Sequence, residues 1–307
     1  MMVFRKILFF SFGLMFLSAC FADKKTEEVS KKAKQKIVIV DDQGHVCPQV
    51  LRLLDLSGIT HDTSLRDIVN QTQKSWLRKP GSERWDVQSA NVLYEEDARN
   101  LIFEMGLSQE VKPQETSYRY LLVLGALFST VALRMEYAVA LWKSGVRFDE
   151  IVLLGGARPM ALEQGENLEK FLAWSGKEQL NSPIDTETDL LRFVYENTLM
   201  PAEMRALPVK IIDVPMLQKQ DGTLRRPTTG DTIEWWLKSD PTPGACLAVS
   251  NQPFVAYQAS VLKTLLPSDY PVEVVGGALV EHKELGVLLD TLARILYQEQ
   301  QCFLLKR

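Results

Sequence analysis

Residues 120–126 read Tyr-Leu-Leu-Val-Leu-Gly-Ala, and residues 151–158 read Ile-Val-Leu-Leu-Gly-Gly-Ala-Arg. Each is a short, unbroken apolar run that stops at glycine. A strand with one wet face alternates apolar and polar residues, whereas a strand covered on both faces does not. Both runs therefore predict strands sandwiched between helices. Three more short, mainly apolar runs follow at 209–214, 246–249 and 272–275. Between and after the five runs lie stretches with apolar residues at helical spacing, near 130–144, 163–175, 187–199, 229–238, 254–266 and 284–299. Strands that alternate with helices predict βαβ units. The expected fold is thus α/β, a doubly wound, mainly parallel five-stranded sheet over residues 118–307.

Working outward, residues 37–117 are less regular. Ile37-Val38-Ile39-Val40 predicts a short strand. Val50, Leu53, Leu54 and Leu56 follow helical spacing, as do Leu65, Ile68 and Val69, and 95–105 reads as a third helix ended near Gly106. This predicts a mostly helical N-terminal subdomain, with no recognisable catalytic motif. Further upstream, Arg5 and Lys6 precede an apolar run at 7–17. That run is shorter than the roughly 20 residues a permanent span needs, and it has the form of a secretory signal. It ends in Leu17-Ser18-Ala19-Cys20, which resembles a bacterial lipobox. The resemblance implies a signal peptide over 1–19, acylation of Cys20, and membrane attachment through that lipid. Ordinary cleavage after Ala22 and an uncleaved anchor are the alternatives. Residues 23–36 are charged and lysine-rich, so 20–36 reads as a flexible tether or a solvated helix. Export is expected, with the protein facing the periplasm. Phe21, rather than Asp, after the cysteine leans toward the outer membrane.

The 307 residues are 46% hydrophobic, enough for a sizeable core, and the formal net charge of −4 gives no basic footprint for nucleic acid. Cys47, Cys246 and Cys302 match no metal spacing; Cys246 reads as a buried thiol, and a Cys47–Cys302 bridge is one possible pairing. His45, His61 and His282 have no partner at metal spacing. No metal site, Walker loop or dinucleotide fingerprint is expected.

In a parallel sheet, ligands bind beyond the carboxyl ends of the strands. Those ends carry Gly125-Ala126, Gly155-Gly156-Ala157-Arg158, Ser250-Asn251-Gln252 and Gly276-Gly277, and glycine lets a ligand approach the backbone. Arg158 is placed either to hold a phosphate or carboxylate, or to make a surface ion pair. Arg134, on the first helix after the first strand, either reaches the pocket or pairs with a carboxylate. Glu166, at an expected helix start, is stabilised there by the helix dipole, binds a ligand hydroxyl, or acts as a base. Thr228-Thr229-Gly230-Asp231-Thr232 is the strongest anion or hydroxyl candidate, against plain N-capping. Ser250 as a nucleophile would need a base, and no Gly-x-Ser-x-Gly elbow surrounds it. Glu166 and Asp231 are the candidate catalytic carboxylates.

The order of Leu124-Gly125, Arg134, Ala138, Leu141, Gly145, Gly155-Gly156, Glu166, Asp213, Thr229, Asp231-Thr232, Glu234 and Ser250 resembles the YdcF/SanA/ElyC-like family of bacterial envelope proteins, over about residues 118–280. The resemblance implies a Rossmann-like domain with a polar pocket and a role in cell-envelope metabolism. The chain departs from the family where a His and an Arg usually follow the strand end at Ser250, since residues 251–258 contain neither. The expected function is a membrane-anchored lipoprotein that binds a small phosphorylated or nucleotide-like ligand. A non-catalytic scaffold or protein-binding lipoprotein is the alternative. No cofactor is indicated.

Overall fold

A computed structural model describes residues 38–79, 82, 87, 92–279 and 283–305. The stretches read as a lipobox and a tether, and His282, lie outside these residues. The main sheet is built from β1 (Ser117–Leu124), β2 (Arg147–Gly156), β3 (Val209–Val214), β6 (Cys246–Asn251) and β7 (Val272–Gly277). All four pairings are parallel and the order is β3-β2-β1-β6-β7. Each expected strand is present, and β1 and β2 begin a few residues earlier than their apolar runs. The antiparallel pair β4 (Leu217–Gln218) and β5 (Leu224–Arg225) forms a small hairpin between β3 and the next helix.

Alternating residues of each strand feed two cores. Leu121, Val123, Ile151, Leu153, Leu247 and Val249 pack beneath α4 (Phe128–Lys143) and α6 (Glu187–Asn197). Leu122, Leu124, Val152, Leu154, Cys246 and Ala248 pack beneath α8 (Thr229–Leu237) and α9 (Val255–Leu265). The unbroken apolar runs are therefore the signature of a strand that must satisfy both faces. Trp236 of α8 is fully buried, edge-on to Tyr120 at 5.1 Å and to Tyr270 at 5.8 Å between ring centroids. Burial in this core pushes the Cys246 thiol up to about 12.

Helix ends follow local chemistry. α4 stops where Gly145 takes φ +107, which lets the Val146 N–H return to Leu141 O. Gly165, at φ +76, splits the helix expected over 163–175 into a 3-10 turn at Leu162–Gln164 and α5 (Leu168–Ser175), capped by Asn167. The four-residue α7 (Ala202–Arg205) precedes β3.

A third core joins the helices α1 (Pro48–Leu56), α2 (Leu65–Ser75) and α3 (Glu95–Glu104) to the C-terminal α10 (Leu285–Leu305). Val50, Leu54, Ile68 and Ile102 meet Leu289, Leu292 and Leu296 there. The helical N-terminal region thus completes its core with the last helix of the chain. Of the stretch read as a strand at 37–40, the described part makes one isolated bridge, Val40 to Val46. The chain then returns to the sheet, with Val111 exchanging both backbone hydrogen bonds with Gly276. Cys47, Cys246 and Cys302 are all free, so the Cys47–Cys302 bridge is not formed. Cys302 Sγ instead lies 3.1 Å from Thr264 Oγ1. No helix among the described residues is long and apolar enough to cross a membrane.

Candidate functional site

The sheet order places a topological switch between β1 and β6. From the end of β1 the chain turns to the α4 face, and from the end of β6 it turns to the α9 face, the arrangement at which open α/β sheets form a ligand crevice. The two walls are Gly125-Ala126-Leu127 and Asn251-Gln252.

Arg134 is buried in this crevice, 2% exposed. Its Nη1 donates to Leu124 O at 2.7 Å and Gly125 O at 2.9 Å, while Nε and Nη2 donate to Asn251 Oδ1 at 3.1 and 2.8 Å. One guanidinium therefore ties the two diverging strand ends together. Beside it, Arg158 meets Glu166 in a two-pronged ion pair, Nη1 to Oε2 at 2.7 Å and Nη2 to Oε1 at 3.0 Å. Arg158 also donates to Ala126 O and Pro159 O. Glu166 further accepts the N–H of Phe128 at 3.0 Å and of Ala161 at 2.7 Å. Its side chain is fully buried with four donors on two oxygens. That arrangement holds the loop after β2 against the start of α4 and leaves little acceptor capacity for a ligand or a base role.

Glu187, which the sequence reading passed over, is the carboxylate with capacity to spare. It is the first residue of α6, behind the capping box of Thr186 and Asp189. Oε1 accepts from Arg158 Nε at 3.3 Å. Oε2 lies over the glycine at the end of β1: a Cβ on Gly125 would stand 2.6 Å from it. Among the described residues no donor reaches Oε2. The side chain is 15% exposed. Burial pushes its carboxyl above the usual range, while the charges of Arg158, Arg226 and Arg134 pull it back. α4 begins behind Leu127, which offers no capping side chain. Glu166 takes the Phe128 N–H, and the N–H groups of Ser129 and Thr130 have no acceptor among the described residues.

The remaining anticipated residues fall elsewhere. Ser250 is the neighbour of Asn251 on β6 and so points to the opposite face of the sheet, with Cys246 and Ala248. Its Oγ is buried without a partner among the described residues, so no base is positioned to activate it. Thr228 and Asp231 form a reciprocal capping box, and Asp231 also takes both Nη groups of Arg225, at 2.7 and 2.8 Å. Plain N-capping accounts for these two residues. Thr229 is the first residue of α8, and the preceding Pro227 packs on Gly156. Gly155 and Gly156 are needed by the chain itself, since an added Cβ would meet Thr188 and Leu191 in one case and Pro227 in the other, all within 2.8 Å. Asp213 accepts from Thr188 Oγ1 at 2.7 Å. A depression of about 400 Å³ along the outer edge of β3, lined by Lys210, Ile212, Asp213, Trp235 and Lys238 among others, includes none of the crevice residues.

The Arg225 pairing first, and the Thr228 hydroxyl after it, hold the Asp231 carboxyl well below the usual carboxylate range. A depressed folded-state value means the stabilisation is present above the unfolded value, near 4, and is lost as pH falls below it. Asp231→Asn keeps a capping oxygen but loses the ion pair. It is expected to cost about 1 kcal/mol at neutral pH, and less as the pH drops below about 4. Urea titrations at the two pH values check this; an equal cost at both would overturn it.

No protein-family model matches the chain, and no curated protein sequence matches it. The likeness to the YdcF/SanA/ElyC-like family rests on the residues quoted for it alone.

Proposed function

We propose that this chain is an exported, lipid-anchored envelope protein whose α/β domain binds a small anionic ligand, phosphorylated or nucleotide-like, in the crevice between β1 and β6. The observation that carries the reading is the gathering of guanidinium groups there. Three guanidinium groups, Arg134, Arg158 and Arg226, act on Glu187, and Glu166 is the second carboxylate of the cluster. The open first turn of α4 adds N–H groups on the same wall, and such turns favour anions.

Ligand binding is expected to raise the unfolding temperature. At a hundredfold excess over Kd the gain is about 2.7 kcal/mol, several degrees for a domain of this size. Thermal melts of the full chain in detergent, against nucleotides and sugar phosphates, check it, with Arg226→Ala expected to reduce the shift. A flat response across the panel would overturn the reading. The anchor has its own readout: fatty-acid labelling is expected to vanish in Cys20→Ser, and retained labelling would reject acylation at Cys20.

A non-catalytic scaffold is the second reading. It is favoured by Arg158, Glu166 and Asn251 being bonded to other parts of the chain. Binding of a membrane partner without any response to anions would favour it.

A further inference from the structure

We propose that Glu187 takes up a proton when the crevice takes up its anion, so that the carboxyl donates an O–H bond to the ligand instead of repelling it. This rests on the anion-binding reading of the same crevice.

The geometry sets the problem. Oε2 of Glu187 lies against Gly125, on the wall where β1 gives way to α4. An anion that used the open N–H groups of Ser129 and Thr130 would share this wall with the carboxylate. Two anions at close range in a partly buried site repel strongly, and one of them protonates instead. The cations around Glu187 do not remove the conflict. Arg158 already serves Glu166 through both Nη groups and reaches Glu187 only through Nε. Arg134, from α4, spends its donors on Leu124 O, Gly125 O and Asn251. Arg226, from the segment between the β4–β5 hairpin and α8, acts on Glu187 through its charge. On α6 itself, Asp189 is turned back to the Thr186 cap and Arg192, and Thr188 to Asp213. Among the described residues, no histidine is among the main groups acting on Glu187. A carboxyl already raised by burial, with one oxygen lacking a donor among the described residues, is the group in this cluster able to change charge at modest cost. The proton comes from solvent, and one O–H···O bond replaces a like-charge contact.

Sulfate is the suitable probe, because it does not titrate near neutral pH. Calorimetric titration of the full chain in detergent, in two buffers of different ionisation enthalpy, is expected to show uptake of up to about one proton per sulfate bound. Affinity is expected to weaken by up to about tenfold per pH unit as pH rises past the carboxyl's apparent value. In Glu187→Gln, which keeps shape and a donor, binding is expected to be independent of pH and without proton uptake. Infrared spectra, wild type minus Glu187→Gln, are expected to show a protonated-carboxyl band that grows when sulfate is added. Sulfate binding with no uptake and no band would overturn this inference and leave the anion site standing. Uptake that persists in Glu187→Gln would reject Glu187 as the acceptor. Failure of wild type to bind sulfate or any phosphomonoester at any pH tested would remove both the anion reading and this inference.

Discussion

Glu166→Ala is expected to lower the unfolding free energy by about 3–5 kcal/mol, the range for breaking a buried ion pair from one side. The reason is what the substitution leaves behind. Arg158, with a side chain only 9% exposed, would lose the two-pronged partner that neutralises it. The N–H groups of Phe128 and Ala161 would lose their acceptor. An unsatisfied buried donor costs about 1–3 kcal/mol, so the three losses point the same way. Glu166→Gln is expected to recover only part of this. Its amide nitrogen would face a donor at either oxygen position, Arg158 Nη1 and Ala161 N–H on one side, Arg158 Nη2 and Phe128 N–H on the other. Urea denaturation of both variants measures the effect. A loss below about 1 kcal/mol for the alanine variant would mean that water replaces Glu166 at little cost, against the burial seen here.

This prediction separates two properties that a sequence cannot separate. Glu166 and Glu187 both stand near helix starts, and both are favoured there by the helix dipole. What distinguishes them is the number of donors folded around each, and the most distant of those donors lie far away in the chain: Phe128 for Glu166 at a separation of 38, and Arg158 for Glu187 at 29. Periodicity carries no record of such contacts. The same holds for the glycines. An apolar run ending in Gly-Gly announces close approach to the strand end, but not whether the approaching atoms belong to a ligand or to Thr188 and Pro227.

The sheet was legible for the opposite reason. Its three central strands are recognisable because burial on both faces imposes a local pattern, and helices alternating with such strands leave few topologies. The β4–β5 hairpin was not legible: with two residues in each strand, it is too short to show a period. Nor was the sharing of a core between α1–α3 and α10, because an apolar face on a helix does not say which distant face will cover it. Thr228-x-x-Asp231 is the intermediate case. Its spacing marked a helix start correctly, and the pairing with Arg225 that occupies Asp231 lies only six residues upstream.

Arg134→Met is expected to cost about 3 kcal/mol and to loosen the strand ends specifically. Methionine fills a similar volume but removes the donors that join β1 to β6. Leu124 O, Gly125 O and Asn251 Oδ1 each lose a charged donor inside a crevice where Arg134 is 2% exposed. Each such loss costs on the order of 1 kcal/mol or more. Arg134→Lys tests whether charge or shape is responsible. A single ammonium cannot reproduce a planar fork that reaches two carbonyls on one strand and an amide on the next, so lysine is expected to restore less than half of the loss. Hydrogen exchange adds the spatial readout. Protection should fall at the ends of β1 and β6 and hold at the Trp236 core, where Tyr120 and Tyr270 are packed independently of the crevice. A uniform loss of protection would make Arg134 an ordinary contributor to global stability. A lysine variant as stable as wild type would show that positive charge alone closes the split between the strands. The crevice is thus expected to owe its shape to one guanidinium, which makes Arg134 a positioning residue for whatever the site accepts.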